Sequence, residues 1–558
     1  MDQSKSLIKE KLEKLRREAE ERGAQRRANK TGFPYANLIA APINMDALSL
    51  IDEEIAKKTR TAAFEIKEKK VALAVFDPND AQTKEVIKKL KNEGYELSIF
   101  VVSLSALNHV LSFYQFIPKK AKEITGSIEI EEKRFLELKN TLISLEAIKK
   151  ELLTSEASAA AATKILEVVL AGALANRASD IHLESAEHGV KLRLRIDGLL
   201  HDVFENLDKN TYEHLLSRIK LLSRLKLNIS DEPQDGRFSI GLPDKVIEIR
   251  TSIIPSEFGE TVVLRILDPE TIRLNLSDLG FRDDDLEIIK KELSRPNGMI
   301  LNTGPTGSGK TTTLYAFLRN AQGPEIKIIT IEDPIEYHLE GIEQTQVDPE
   351  AGYTFSNGLR SILRQDPDMI LVGEIRDLET AEIAMHSALT GHLVFSTLHT
   401  NEASGAVPRL IDMGVKPSVI APAINLIIAQ RLVRRLCQNC RQEQEIDSDL
   451  KIKIEKFLGR LPARVNKNFQ EIKIFKQSDG GCEKCNNTGY KGRVGIFELF
   501  LMSPDLERLI AKEPVEAEIK ELAFKQGMVS MQGDGILKTL RGVTTFEEVE
   551  RMTGPLEW

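Results

Sequence analysis

The sequence has only four cysteines among 558 residues, no long apolar run and no excess of positive charge. Each shortage excludes something. The first thirty positions, MDQSKSLIKEKLEKLRREAEERGAQRRANK, contain no apolar segment of the kind a secretory signal needs. The most apolar stretch, VIAPAINLIIAQ from Val419, stops at Arg431, well short of the roughly 18 residues that cross a bilayer. The reading is a cytoplasmic chain, or one held at a membrane face by partners. With 77 basic against 85 acidic residues and a net charge of −8, the broad positive footprint of a nucleic-acid binder is missing. Four cysteines without a leader do not make the disulfide framework of a secreted domain. What remains is a chain with 41% hydrophobic residues, able to bury real cores and long enough for about three or four domains.

Seven segments follow from pattern and composition. Residues 1–34 form a charged helical arm with a thin apolar stripe (Leu7, Ile8, Leu12, Leu15), a solvated or partner-docking face. Residues 35–117 read as a small αβ domain: VALAVF is a strand, Asp80 caps a helix that stops at Gly94, and LSIFVVS is a second strand. A Lys/Glu-rich helical connector covers 118–154. Residues 155–272 mix helices with the alternating strands DIHLE, VKLRLRIDGLL, VIEIRTSII and TVVLRIL, an α+β pattern. Strands alternate with helices over 273–436 as in a nucleotide-binding α/β domain, residues 437–498 hold all the cysteines, and 499–558 read as short helices. No internal repeat is evident.

The phosphate chemistry starts at LNTGPTGSGKTTTLYAFL, where Gly304, Gly309, Lys310 and Thr311 match G-x-x-x-x-G-K-[ST] between an apolar strand and a helix. Glycines let the backbone of Gly304, Pro305, Thr306, Gly307, Ser308 and Gly309 wrap a phosphate with amides aimed at it. Lys310 would reach the β- and γ-phosphates of ATP, and Thr311, followed by Thr312, would ligate Mg²⁺.

Three apolar strands downstream end in reactive side chains. KIIT leads to Glu332 and Glu336, MILVGE ends at Glu374, and LVFSTLHT ends near Ser396, Thr397 and His399. In a parallel sheet such ends converge beside the loop. Carboxylates there can orient and deprotonate water, and a histidine can sense the γ-phosphate. Gly373 precedes Glu374 where many such enzymes carry aspartate, so magnesium and base roles stay unassigned among the three acids.

Cys437, Cys440, Cys482 and Cys485 form two C-x-x-C pairs, the spacing of a tetrahedral Zn²⁺ site with no open position, hence structural. Arginine is the third constellation. Arg237, Arg250 and Arg265 lie in the α+β segment, and Arg360 and Arg364 in GLRSILRQDPD. Surface ion pairs are the bland explanation. Yet Arg250 and Arg265 stand in apolar strands, where an idle guanidinium is costly and an anionic partner is expected.

Taken together, GPTGSGKTTTL, TIEDPIEY, LRQDPDMILVGEIRDLETAE, TGHLVFSTLHTNEA and QRLVRRLC resemble the Walker A, Asp box, Walker B, His box and following segment of the secretion ATPases. SDIHLES, LRLRIDGLL, PQDGRF and PSEFGETVVLRIL resemble the domain before that core, and GCEKCNNTGYKGRVGIFEL the second half of its zinc module. The resemblance implies an α/β, RecA-like P-loop core, a preceding PAS-like α+β domain and a small N-terminal αβ domain. It also implies an inserted four-Cys zinc module, a C-terminal helical region, and hexameric rings at the cytoplasmic face of the inner membrane. In such a ring Arg250 and Arg265 act as fingers on the neighbour's nucleotide, and Arg360 and Arg364 help close the nucleotide interface. His392 and His399 fall on the essential histidines, and Glu332, Glu336 and Glu374 on the acids. Type IV pilus assembly, through a membrane platform protein and an adaptor, is the first expectation, and type II secretion the second. A nucleic-acid-translocating motor has only RLVRRL in its favour. A scaffold without turnover is disfavoured by the full set of reactive residues. The first 100 residues carry no R-L-G-x-x-L motif of the cyclic-di-GMP type, so that ligand is not expected. Retraction ATPases typically lack the cysteine module and N-terminal unit that this chain carries.

Overall fold

The computed structural model describes residues 2–558 except 40, 42, 68, 117–126, 129–131, 155–158, 243–244, 273, 468 and 470–471. Part of the expected connector and the start of the alanine-rich stretch therefore lie outside the described residues. The chain divides into two compact units, Met1–Leu267 and Asp268–Trp558.

The first unit opens with the helix Asp2–Thr31. Ala24 and Ala28 bury against the small domain, and Glu21 accepts hydrogen bonds from Tyr35 and Ser103. That domain has three strands rather than two. Lys70–Val75 pairs in parallel with Glu96–Val101, as the pattern predicts, but also antiparallel with Thr61–Lys67. TAAFEIK was hidden because its first four residues are all buried, giving no alternation to read. Asp80 caps its helix as expected, accepting from the amides of Gln82 and Thr83.

A seven-stranded sheet follows, in the order Ser127–Ile128, Gln234–Gly241, Val246–Ser256, Gly259–Leu267, Asp180–Ala186, Gly189–Ile196, Leu199–Leu207. Alternation sends Ile247, Ile249 and Ile253 inward with Val262 and Leu264, beneath the helices Ala159–Ala175 and Lys209–Leu222. The helices of the expected connector join this same core: Phe135, Leu142, Ile148 and Leu152 are buried in it. The helix approach is tight, since a Cβ on Gly172 would sit 2.7 Å from Ile148. Their Lys/Glu-rich composition describes only the outer faces.

The second unit is built on another seven-stranded sheet: Glu343–Gln346, Ile328–Glu332, Met369–Val372, Leu393–Leu398, Gly298–Thr303, Ile424–Leu436, Tyr490–Leu501. All neighbours are parallel except the last pair. Both faces are covered, one core holding Met299, Leu301 and Ile370 and the other Ile300, Leu371 and Phe395. This is why these strands read as unbroken apolar runs. The cysteine segment does not form a separate body. Its final strand, Tyr490–Leu501, is an edge of the nucleotide-binding sheet, and Ile454 and Phe457 of its helix Ser448–Arg460 pack on Ile536 and Leu540 of the C-terminal helices.

A buried ionic network ties this unit together. Arg282 donates to Asp284 (3.1 Å), Asp285 (2.6 Å) and Asp534 (3.0 Å), and its side chain is 2% exposed. Arg464 also pairs with Asp284 and Asp285, and Lys538 with Asp534. Burial pushes the Asp285 carboxyl up to about 6. Burial acts on Asp534 in the same direction, but Lys538 and Arg282 outweigh it and hold that carboxyl below the usual range.

Candidate active site

The phosphate loop joins the strand Gly298–Thr303 to the helix Lys310–Ala321. Gly304, Gly307 and Gly309 have φ of 152°, 79° and 90°, which β-carbon-bearing residues rarely adopt. A Cβ on Gly304 would also lie 2.6 Å from the Gln430 carbonyl oxygen. Gly309 caps the helix without a side-chain bond, leaving the first-turn amides to an anion. Lys310 Nζ donates to the carbonyls of Gly304 (2.8 Å) and Pro305 (3.1 Å), and burial lowers its pKa. Ser308 Oγ is buried with no hydrogen-bond partner, while the Thr311 side chain is exposed. Loop amides, an ammonium and a hydroxyl make a donor set that fits a nucleotide phosphate with its magnesium.

The three acids have different surroundings. Glu332 is buried, and its carboxylate accepts from Thr330 Oγ1 (2.5 Å), Gln344 Nε2 (3.1 Å) and the Tyr315 hydroxyl. Burial, then Glu332 itself, raises the Tyr315 pKa above the usual phenol range. Glu336 is half-buried and acts electrostatically on the same tyrosine. Glu374, its side chain 14% exposed, lies 2.5 Å from Arg376 and 3.5 Å from His399 Nε2. It is also the strongest charge acting to offset the lowering of the Lys310 pKa. Ser396 and Thr397 are structural: their hydroxyls bond the carbonyls of Val372 and Gly373 and fix the strand that carries Glu374.

Some expected members stand elsewhere in this chain. His392 precedes the strand Leu393–Leu398 and its carbonyl accepts from Gly298 N, at the amino ends of the parallel strands. His399 lies at the other end, a strand length of about 20 Å away at about 3.3 Å per residue. Arg360 forms a surface pair with Glu379 at 2.8 Å, and Arg364 bonds the Arg360 carbonyl and Ser361. These contacts lie within their own helix and its neighbour, and involve no loop residue.

The expected burial of Arg250 and Arg265 is corrected. Both alternate with the core residues and point to the other face, and the Arg265 side chain is 56% exposed. The register sets Arg237, Arg250, Arg265, Asp180 and Arg195 side by side on five adjacent strands. Arg265 bonds Asp180 at 3.0 Å, and Arg195 lies 3.5 Å from it.

The cysteine sulfurs all lie within 4.8 Å of one another, and none forms a disulfide. The amides of Cys482 and Gly489 point at Cys485 Sγ (3.1 and 3.3 Å), and Asn439 Nδ2 at Cys482 Sγ (3.5 Å). Donors aimed at sulfur suit thiolates, so the set fits a tetrahedral zinc ion.

Several site residues escaped the sequence reading. Arg376 lies two positions after Glu374, a spacing that offered a signal. Gln430 and Arg431 interrupt an apolar strand, which is also a signal. Gln430 bonds Asn302 and Thr313, and Arg431 bonds Asn401, in the loop after His399.

A family model described as "Type II/IV secretion system protein" matches residues 155–551, and one described as "MshEN domain" matches 31–115. The chain is 41% identical over 440 residues to type II secretion system ATPase E of Vibrio cholerae, covering 79% of this chain and 84% of that protein. It is 36% identical over 532 residues to the type IV pilus assembly ATPase PilB of Myxococcus xanthus, covering 94% and 89%. Among solved structures, the Legionella pneumophila ATPase DotB superposes with a TM-score of 0.50 at 22% identity, over 70% of this chain and 95% of that one, a likeness of fold. With the phosphate loop, the acids and His399 of the second unit in place, the chain belongs to the type II/IV secretion system protein family and is an ATP hydrolase.

Proposed function

We propose that the protein is the motor of a cytoplasmic hexameric ring at the inner membrane, driving type IV pilus assembly through a platform protein. The alignment with the pilus assembly ATPase, which extends through the N-terminal domain to 94% of the chain, favours this choice. Type II secretion is the second reading, favoured by the higher identity of 41% over 440 residues.

One observation carries the chemistry: Glu374 stands past a strand end, between Arg376 at 2.5 Å and His399 at 3.5 Å, and is electrostatically coupled to Lys310. Glu374 accepts a proton from the attacking water and His399 orients it, while Glu332, held by three donors, keeps Tyr315 and the loop helix in place. Lys310 exchanges its loop carbonyls for phosphate oxygens. Thr311 and the acids would hold the Mg²⁺ that enters with the nucleotide, which would supply neutralisation of phosphate charge. Arg250 and Arg265 complete the site across the subunit boundary. Zinc on the four cysteines is structural.

Glu374→Gln should keep ATP binding and lose about 10²-fold or more of turnover, whereas Lys310→Ala should lose binding as well. Unchanged hydrolysis in Glu374→Gln refutes the base assignment. In cells, replacing the gene by Lys310→Ala should abolish surface pili under the first reading, and export of secreted proteins under the second.

A further inference from the structure

We propose that Gln430 is a positioning residue of the phosphate loop, holding both ends of it from a neighbouring strand. Its amide oxygen accepts from Asn302 Nδ2 at 3.0 Å and from Thr313 Oγ1 at 2.9 Å. Asn302 lies on the strand entering the loop and Thr313 on the first turn of the helix leaving it. Both donors therefore converge on one atom of the neighbouring strand Ile424–Leu436. All three side chains are buried, Asn302 and Thr313 fully and Gln430 to 2% exposure.

The loop also wraps directly onto this residue. A Cβ on Gly304 would come within 2.6 Å of the Gln430 carbonyl oxygen, and one on Gly309 within 2.8 Å of its Nε2. Gln430 thus contributes to the demand for glycine at both positions. The parallel register places Ala429 opposite Thr303, so Gln430 is where the strand first meets the loop. A buried polar group is costly unless bonded, and this one is bonded only when strand, loop and helix hold their present spacing. The amides that face phosphate are set by that spacing, which links Gln430 to nucleotide affinity without any contact to the nucleotide.

The test uses the full-length protein and four chains: wild type, Gln430→Met, Thr313→Val and Thr313→Ser. Gln430→Met keeps length and removes the acceptor, Thr313→Val keeps shape and removes a donor, and Thr313→Ser restores that donor. Affinity for a fluorescent ADP analogue and the KM and kcat for ATP are measured well below each variant's melting temperature, recorded without nucleotide. Gln430→Met and Thr313→Val should weaken ADP binding about tenfold, the scale of one lost buried hydrogen bond, with Thr313→Ser within about twofold of wild type. If both apolar variants bind ADP and hydrolyse ATP within about twofold of wild type while melting lower, the cluster is core packing and the proposal is wrong. Should Gln430→Met fail to fold, the contrast between Thr313→Val and Thr313→Ser decides by the same criterion.

Discussion

Replacing Arg282 by methionine should destabilise the nucleotide-binding unit severely without touching its active site. The guanidinium spends all three nitrogens on Asp284, Asp285 and Asp534, and the last two carboxylates are fully buried. Removing one partner of a buried ionic network leaves uncompensated charge, at a cost of about 3–5 kcal/mol. The lower end applies here, because Asp285 keeps Arg464 and Asp534 keeps Lys538 and the amide of Phe497. For a unit of this size each kcal/mol moves the midpoint by about 2–4 °C, so at about 3 kcal/mol a fall of roughly 6–12 °C is expected. The assay is built in. Trp558 is the only tryptophan, packs edge-on against Phe546 at 5.4 Å and has its carbonyl bound by Arg460, so its fluorescence reports loss of the C-terminal helices. Adding Asp285→Asn to Arg282→Met should recover roughly 1–2 kcal/mol, since one stranded charge is then gone. A tryptophan melt of Arg282→Met within about 2 °C of wild type would show that the network contributes nothing net.

Three further outcomes are expected. Mixed rings of Lys310→Ala and Arg265→Ala subunits, each inactive alone, should regain hydrolysis in proportion to interfaces pairing an intact Lys310 with an intact Arg265; no recovery in well-mixed rings means the arginine acts within its own chain. Elemental analysis should find about one zinc per chain, by the stoichiometry of a four-thiolate site, and chelation or Cys482→Ser should lower the melting temperature before it lowers activity; a metal-free chain that melts normally refutes the site. The folded pKa of Asp285 is raised to about 6, above the unfolded value, so its contribution favours the fold at low pH and is lost as pH rises through about 6. Asp285→Asn should therefore gain stability relative to wild type between about pH 4 and pH 6, and a constant difference across that window contradicts the raised value.

What the sequence disclosed was what is local. The phosphate loop, Glu374 and the cysteine pairs are short patterns whose chemistry depends on neighbours in the chain, and their placement could be read directly. His392 shares a motif with His399, but the six strand residues between them place it at the amino end of that strand, away from the loop of its own chain. For Arg250 the information was present and misweighted. VIEIRTSII alternates, so the arginine faces away from Ile247 and Ile249, and the guanidinium is not idle in a core. Gln430 was invisible as a site residue for a different reason. Its polar character is plain within LIIAQRLVRRL, but its partners lie 128 and 117 positions earlier, and only the parallel register brings them together. The helices Glu132–Thr141 and Leu145–Leu153 looked like a connector because their charged faces dominate the composition, while Phe135 and Ile148 do the packing.

The sheet of the second unit is finished by a strand that arrives late. Tyr490 pairs with Leu436 across the whole cysteine excursion, and Cys437 faces Cys482 from 45 positions away. A cross-link closing a loop of that size removes about 4 kcal/mol of entropy from the unfolded chain. With the sulfurs tied, the pairing of Leu436 and Tyr490 becomes local in effective contact order, and the closing strand docks as the return arm of a hairpin does. Without the tie, Ile424–Leu436 waits as an open edge whose first half is mostly apolar, a template on which another chain can pair. The cysteine cluster then governs solubility during synthesis: metal-starved cells should accumulate this protein as aggregate, even where the mature, folded chain tolerates loss of the ion.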